Sequence, residues 1–225
     1  MNDISNTSVH LSYDQTPQPY HEVVAGLVTS YCIANGHLMD IGCGVGHTLV
    51  SVHKKRPDIS FTVADIDENC LAITSSRVPL AGRRKITGVV DLFDGQAAYD
   101  CIVMSHSLEH MHEPVRVVRE VMRLLKPDGV LILAVPNPVR PAIIWSNLRR
   151  KKNVNLGHVM AWDRSHWMNF IEVVLGLKVI EYAADYFQFP GSFSEKLRIV
   201  RKVELALVKL FPWFSMSNIV AVRKA

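Results

Sequence analysis

The sequence predicts one α/β domain built on a mostly parallel, doubly wound sheet, and three observations predict it. Short apolar runs rich in β-branched residues alternate with helix-length stretches along most of the 225 residues. Glycines at 42, 44 and 46 sit where the first such run meets a helix-like stretch. With 48% hydrophobic residues the chain has material for a sheet covered by helices on both faces, and its length fits one domain. Only residues 136–158 change composition enough to stand apart. They carry Pro136, Pro138 and Pro141 and then the basic run Arg149 to Lys152, which predicts a lid or substrate-binding insertion inside a single domain spanning 1–225.

Each element has a local reason. An opening helix is predicted near Tyr20 to Ile33, then a strand at His37 to Ile41 and a helix that starts after Gly46 and ends before Pro57. Ile59 to Ala64 (ISFTVA) reads as the second strand, and Asp67 as the N-cap of a helix over Leu71 to Val78. A third strand is placed at Lys85 to Val90 and a fourth at Tyr99 to Ser105. Glu113 to Leu125 has apolar residues at 117, 118, 121, 124 and 125 with Pro114 in its first turn, the pattern of an amphipathic helix. Strand five follows at Val130 to Val135, then a helix at Arg164 to Leu175 capped by Asp163 or Ser165, strand six at Lys178 to Tyr182, a helix at Glu195 to Phe211 and strand seven at Ser217 to Arg223.

The segment Leu38 to Val50, LMDIGCGVGHTLV, carries the chemistry of a ligand cradle. Glycines at alternate positions allow positive φ and let a ligand lie against the backbone at a helix start. A dinucleotide loop, G-x-G-x-x-G, would need its third glycine at position 47, which is His47. About 20 residues on, where such folds place a ribose-binding acid, stand Asp65-Ile66-Asp67, and Asp65 directly ends the apolar run.

The D-x-G-x-G-x-G spacing of Asp40, Gly42, Gly44 and Gly46 resembles motif I of class I S-adenosylmethionine-dependent methyltransferases. Asp91-Leu92-Phe93-Asp94 resembles the family segment that walls the adenine, and Leu124 to Val135 (LLKPDGVLILAV) resembles its LLKPGG-plus-strand element, with Asp128 in place of the usual glycine. The resemblance covers residues 38 to 137 in order. It implies a Rossmann-like, seven-stranded sheet with the last strand antiparallel, and S-adenosylmethionine as cofactor. The implied cofactor-binding residues are Asp40, Gly42, Gly44, Gly46, Asp65, Ile66, Asp91, Leu92, Ser105 and His106.

Ser105 to His110 (SHSLEH) follows strand four, where donor and acceptor should meet, and similar enzymes have S-x-x-L-E-H there. His106 to His110 also satisfies H-x-x-E-H, a zinc pattern, though inside a complete cofactor scaffold that reading loses weight. Related 2′-O- and ubiquinone-pathway methyltransferases use E-x-x-E-H and a later histidine to hold a divalent cation. Here His106 replaces the first glutamate, so metal assistance by His106, Glu109, His110 and His158 is not favoured. Without metal, a hydroxyl acceptor needs a base, and an imidazole suits neutral pH. His110 is the first candidate, His158 in Gly157-His158-Val159 the second, and Glu109 completes the catalytic set.

Charge and composition bound the partners. The 25 basic and 21 acidic residues leave a net charge of +4, and the basic runs are short and separate, so a nucleic-acid partner is not favoured. Ile143, Ile144, Trp145 and Leu148 before Arg149 to Lys152 would suit peripheral membrane contact, although no apolar stretch approaches a membrane span. Four singly scattered cysteines suggest neither zinc nor disulfides, and the polar amino terminus suggests a cytoplasmic protein. The expected acceptor is a small molecule, sugar or glycan, and the expected state a monomer or homodimer. The reading from another class is an inactive cofactor-binding scaffold. Trp162 could stack on a ring, with core packing as the plainer role.

Overall fold

The computed structural model describes residues 16–92, 96–150, 157–189 and 198–224. In chain order they form α1 (Pro19–Tyr31), β1 (His37–Ile41), α2 (His47–Lys55), β2 (Ser60–Asp65), α3 (Glu68–Arg77), β3 (Gly82–Lys85), β4 (Tyr99–Ser105), α4 (Pro114–Leu124), β5 (Leu125–Pro136), α5 (Pro141–Leu148), α6 (Arg164–Met168), β6 (Leu177–Ala183), α7 (Arg198–Leu210) and β7 (Ser217–Lys224). The sheet order is β3-β2-β1-β4-β5-β7-β6. Strands β1 to β5 pair in parallel, and β7 runs antiparallel to both β5 and β6. The chain moves outward from β1 to β3 and then crosses back to β4, so a switch point opens beyond the carboxyl ends of β1 and β4.

Alternation along the central strands builds two cores, because successive side chains point to opposite faces. Met39, Ile41, Ile102, Met104, Leu131 and Leu133 pack with Val117, Val118 and Val121 of α4 and with Trp162, Trp167 and Phe170. Leu38, Val63, Cys101, Val103, Ile132 and Ala134 pack on the other face with Val24 and Val28 of α1, Leu49 and Val52 of α2, and Leu71 of α3. Trp162 is therefore a core residue. All four cysteines are buried free thiols.

The structure differs from expectation in places, each with a physical cause. Strand three lies at Gly82–Lys85, ahead of the apolar residues assigned to it, because it is an edge strand held by pairing with β2 while its arginines face water. A Cβ at Gly82 would come within 2.8 Å of Thr62 Oγ1. Ile86, Val89 and Leu92 instead turn into the core through a short 3-10 segment, Val89–Leu92. Strand five begins early, at Leu125, and takes the K-P-D-G turn as a bulge that lets Lys126 reach Asp100 at 2.8 Å. The helix after Asp163 passes at Asn169 into a π-helical turn. In α7 the buried face centres on Glu204 and Val208, whereas Val203 and Leu210 are exposed. The cause is a polar tether, since Glu204 Oε1 accepts from the Phe189 N–H at 2.9 Å.

Candidate functional site

The glycine turn lies at the switch point with all three φ values positive, 76° at Gly42, 51° at Gly44 and 79° at Gly46. Close approach adds a second demand. A Cβ at Gly42 would sit 2.8 Å from Ser107 Cβ, and one at Gly46 2.8 Å from Thr74 Cγ2. The Gly44 N–H donates to Asp65 Oδ2 at 2.9 Å, and Thr74 Oγ1 donates to the Gly44 carbonyl at 2.9 Å. Asp65 Oδ1 accepts from the Asp67 N–H at 2.9 Å, while Asp67 caps α3 through the Asn69 N–H. Asp40 and Asp65 are both buried, and Ile66 stands exposed at the rim.

Other predicted site residues separate into those at this turn and those beside it. Ser105 ends β4 with its Oγ buried and lacking a hydrogen-bond partner among the described residues. A buried hydroxyl without a partner at the switch point fits a group that could meet a ligand there. Asp91 Oδ2 accepts from the Thr87 N–H and hydroxyl at 2.6 and 3.0 Å, whereas the Leu92 side chain goes into the core. Phe93 and Asp94 lie outside the described residues.

Beyond β4 a second cluster forms. His106 has φ of 53°, stacks on Tyr20 with ring centroids 4.1 Å apart, and shares a 3.0 Å hydrogen bond through Nε2 with Ser217 Oγ. Burial pulls its imidazole down to about 3, with nearby His21 and Arg140 acting in the same direction. His21, bonded to Thr48 Oγ1 at 3.0 Å, is also pulled by burial to about 3. Glu109 is 1% exposed, and burial pushes its carboxyl up to about 8, so it is a neutral acid at pH 7. Its carbonyl accepts from the N–H groups of Val159 and Met160, which docks the returning chain on the site. His110 Nδ1 lies 3.1 Å from the Gly157 carbonyl and its ring meets His158 edge-on at 4.7 Å. A carbonyl only accepts, so Nδ1 carries the proton and Nε2 the lone pair.

Ligand atoms of Glu109, His110 and His158 lie within 4.8 Å of one another. His106 is outside this group, its ring stacked on Tyr20 and bonded to Ser217, although its Nδ1 stands 3.6 Å from Glu109 Oε1. One carboxyl and two imidazoles suit a divalent cation chemically, and binding one would require the Glu109 carboxyl to give up its proton.

Sequence reasoning missed Tyr20, His21, Arg140, Asp185 and Ser217. Arg140 caps α5, and its Nε is buried without a hydrogen-bond partner among the described residues. Asp185 Oδ1 accepts from the N–H groups of Tyr186 and Ser217, at 2.7 and 3.1 Å. Past Arg140, Pro141, Ile144, Trp145 and Leu148 join Phe187, Phe211 and Phe214 around an open groove of about 430 Å³. No described helix is long and apolar enough to cross a membrane.

The family model of a methyltransferase domain matches residues 17–174. Among curated proteins, the mitochondrial 2-methoxy-6-polyprenyl-1,4-benzoquinol methylase of Caenorhabditis elegans is 25% identical over 183 residues, which is 77% of this chain and 61% of that protein. A ubiquinone biosynthesis O-methyltransferase of Caulobacter vibrioides is 28% identical over 60% of this chain and 53% of its own length. The chain thus spans somewhat over half the length of these curated relatives. Among solved structures, the plantazolicin methyltransferase BpumL, determined with S-adenosylhomocysteine, superposes over 100% of this chain and 92% of its own with a TM-score of 0.66 at 14% identity.

Proposed function

The chain belongs to the methyltransferase-domain family, and from that premise we propose that it is an S-adenosylmethionine-dependent methyltransferase that O-methylates a hydroxyl of a small-molecule acceptor with His110 as general base. The observation that carries this is the His110–Gly157 hydrogen bond, which presents Nε2 as the basic nitrogen beside His158. S-Adenosylmethionine supplies a methyl group already activated on a sulfonium. Asp65, Asp40 and the backbone of Gly42 to Gly46 would hold it, with Ile66, Asp91, Leu92, Ser105 and His106 around it. The rest of the task is alignment, removal of the hydroxyl proton and exclusion of water. Nε2 of His110 takes that proton. His158 confines the ring, and Glu109 fixes the segment carrying both Gly157 and His158 through its backbone carbonyl.

Residues 136–150 and 157–158 belong to a lid or substrate-binding insertion within a single domain, residues 151–156 of which lie outside the described residues, a reading supported by the contact of Gly157 and His158 with the His110 ring. The apolar groove along α5 supports a lipophilic, ring-bearing acceptor over a sugar or glycan, since its walls offer aliphatic and aromatic side chains. Relatives named for quinol and ubiquinone biosynthesis support the same choice. The exposed apolar residues of α5 beside Arg149 would also allow peripheral membrane contact during its capture.

Methyl transfer to a panel of catechols and quinols, read at several pH values, tests the proposal. His110→Ala should slow transfer at least about tenfold while S-adenosylhomocysteine affinity, measured by calorimetry, holds. Rates unchanged in both His110→Ala and His158→Ala would refute the base, and no turnover with any hydroxyl acceptor despite cofactor binding would favour a scaffold. Inhibition by a chelator, reversed by a divalent cation, would turn Glu109, His110 and His158 into metal ligands.

A further inference from the structure

The connection from β5 into α5 leaves the chain at the carboxyl edge of the sheet, on the acceptor side of the switch point, and there it carries Arg140. Most arginines near a protein surface keep their guanidinium in water or pair it with a carboxylate. Arg140 does neither at Nε, which is sealed from solvent and has no acceptor among the described residues. No described carboxylate lies within ion-pair distance. The acid whose charge acts on it, Asp185, gives Oδ1 to the N–H groups of Tyr186 and Ser217 while Oδ2 is buried without a hydrogen-bond partner among the described residues, and burial pushes its carboxyl up to about 6, the direction opposite to that of an acid paired with a cation. The residue as a whole is partly buried. Its charge is felt by His106 and by His158, which places it on the same side of the site as the proposed base.

A partly desolvated guanidinium without a counter-ion among the described residues is a costly arrangement unless an anion completes it. We infer that Arg140 is the recognition point for an oxyanion, a carboxylate or phosphate, carried by the methyl acceptor. The inference rests on the acceptor-side reading above. The planar fork of donors would accept two oxygens side by side and so fix the acceptor's orientation as well as its charge. Pro141 follows at once and lines the apolar groove, so an acidic group bound at Arg140 leaves the apolar remainder of the molecule a path along α5. Arg140 is therefore a specificity determinant, not a catalytic residue.

The protein loaded with S-adenosylhomocysteine is titrated by calorimetry with three probes of similar shape, 4-hydroxybenzoate, 4-hydroxyphenyl phosphate and the neutral 4-hydroxybenzamide. At least one anionic probe should bind about tenfold or more tightly than the amide, and whichever does identifies carboxylate or phosphate. Arg140→Met should abolish that preference with S-adenosylhomocysteine affinity unchanged, and Arg140→Lys should retain part of it. Equal affinity for charged and neutral probes, binding by none of them at millimolar concentration, or a preference that survives in Arg140→Met would overturn the proposal. Failure of S-adenosylhomocysteine to bind would instead overturn the site on which it rests.

Discussion

Replacing Glu109 by glutamine should remove a loss of stability in alkali. Glu109 is 1% exposed, its Oε2 has no hydrogen-bond partner among the described residues, and burial pushes its carboxyl from 4.5 to about 8. Between those values the folded state keeps a proton that the unfolded chain has lost. Its stability therefore falls with rising pH by about 1.4 kcal/mol per pH unit, about 5 kcal/mol once pH passes 8. Glutamine preserves size and neutrality but cannot ionise, so Glu109→Gln removes the slope. The amide also leaves polar hydrogens without an acceptor, a cost of about 1–3 kcal/mol that does not vary with pH. The variant should thus start less stable than the parent near pH 5 and overtake it before pH 8, the difference changing by about 3–4 kcal/mol on the way. Urea unfolding of both proteins from pH 5 to 9 measures it. Two parallel curves, separated by the same amount throughout, would mean that the carboxyl ionises freely in the folded state.

Two further outcomes follow from the same contacts. Gly46→Ala puts a Cβ at φ 79° and 2.8 Å from Thr74 Cγ2, so S-adenosylhomocysteine affinity should drop at least about tenfold by calorimetry, the strain of a left-handed residue alone being about 1–2 kcal/mol. His21, pulled by burial from 6.5 to about 3, contributes stability that is full above pH 6.5 and lost as pH falls toward 3; in urea titrations His21→Gln should flatten that acid limb by about 1.4 kcal/mol per pH unit.

The two halves of the site were unequally legible because they are encoded at different ranges along the chain. The glycine turn is local. Its spacing, the apolar run before it and the helix after it are contiguous, so Gly42, Gly44, Gly46 and the Asp67 cap could be read directly, and Asp65 follows at the end of the next strand. His110 and His158 are 48 positions apart, and only their neighbours Glu109 and Gly157 hinted at a meeting. Tyr20, Arg140, Asp185 and Ser217 carried no such hint. Each stands alone in its own segment and gains meaning only when α1, the β5–α5 connection and the edge of β7 are folded against His106. Strand three was misplaced for the complementary reason: an edge strand is held by backbone pairing, and its Gly-Arg-Arg-Lys sequence carries no apolar signal. In α7, the buried position of Glu204, whose Oε1 accepts from the Phe189 N–H, turned the helix away from its apolar stripe.

Electrostatics connects these late-assembled residues to the proposed chemistry. His21, His106 and Glu109 are all driven by burial toward their uncharged forms at neutral pH, so this wall presents polar shape without charge. A neutral wall suits a reaction in which a cationic donor and a neutral hydroxyl pass through a state of dispersed charge, because it gives the concentrated ground-state cation no extra stabilisation. An imidazolium at His106 would repel the donor, and a carboxylate at Glu109 would hold the proton that His110 must take up from the acceptor. Arg140 is the exception in sign and in place, standing where α5 leaves the sheet. A charge tolerated there, with no described carboxylate paired to it while its neighbours are held neutral, is what an anionic group on the acceptor would match under the proposal above.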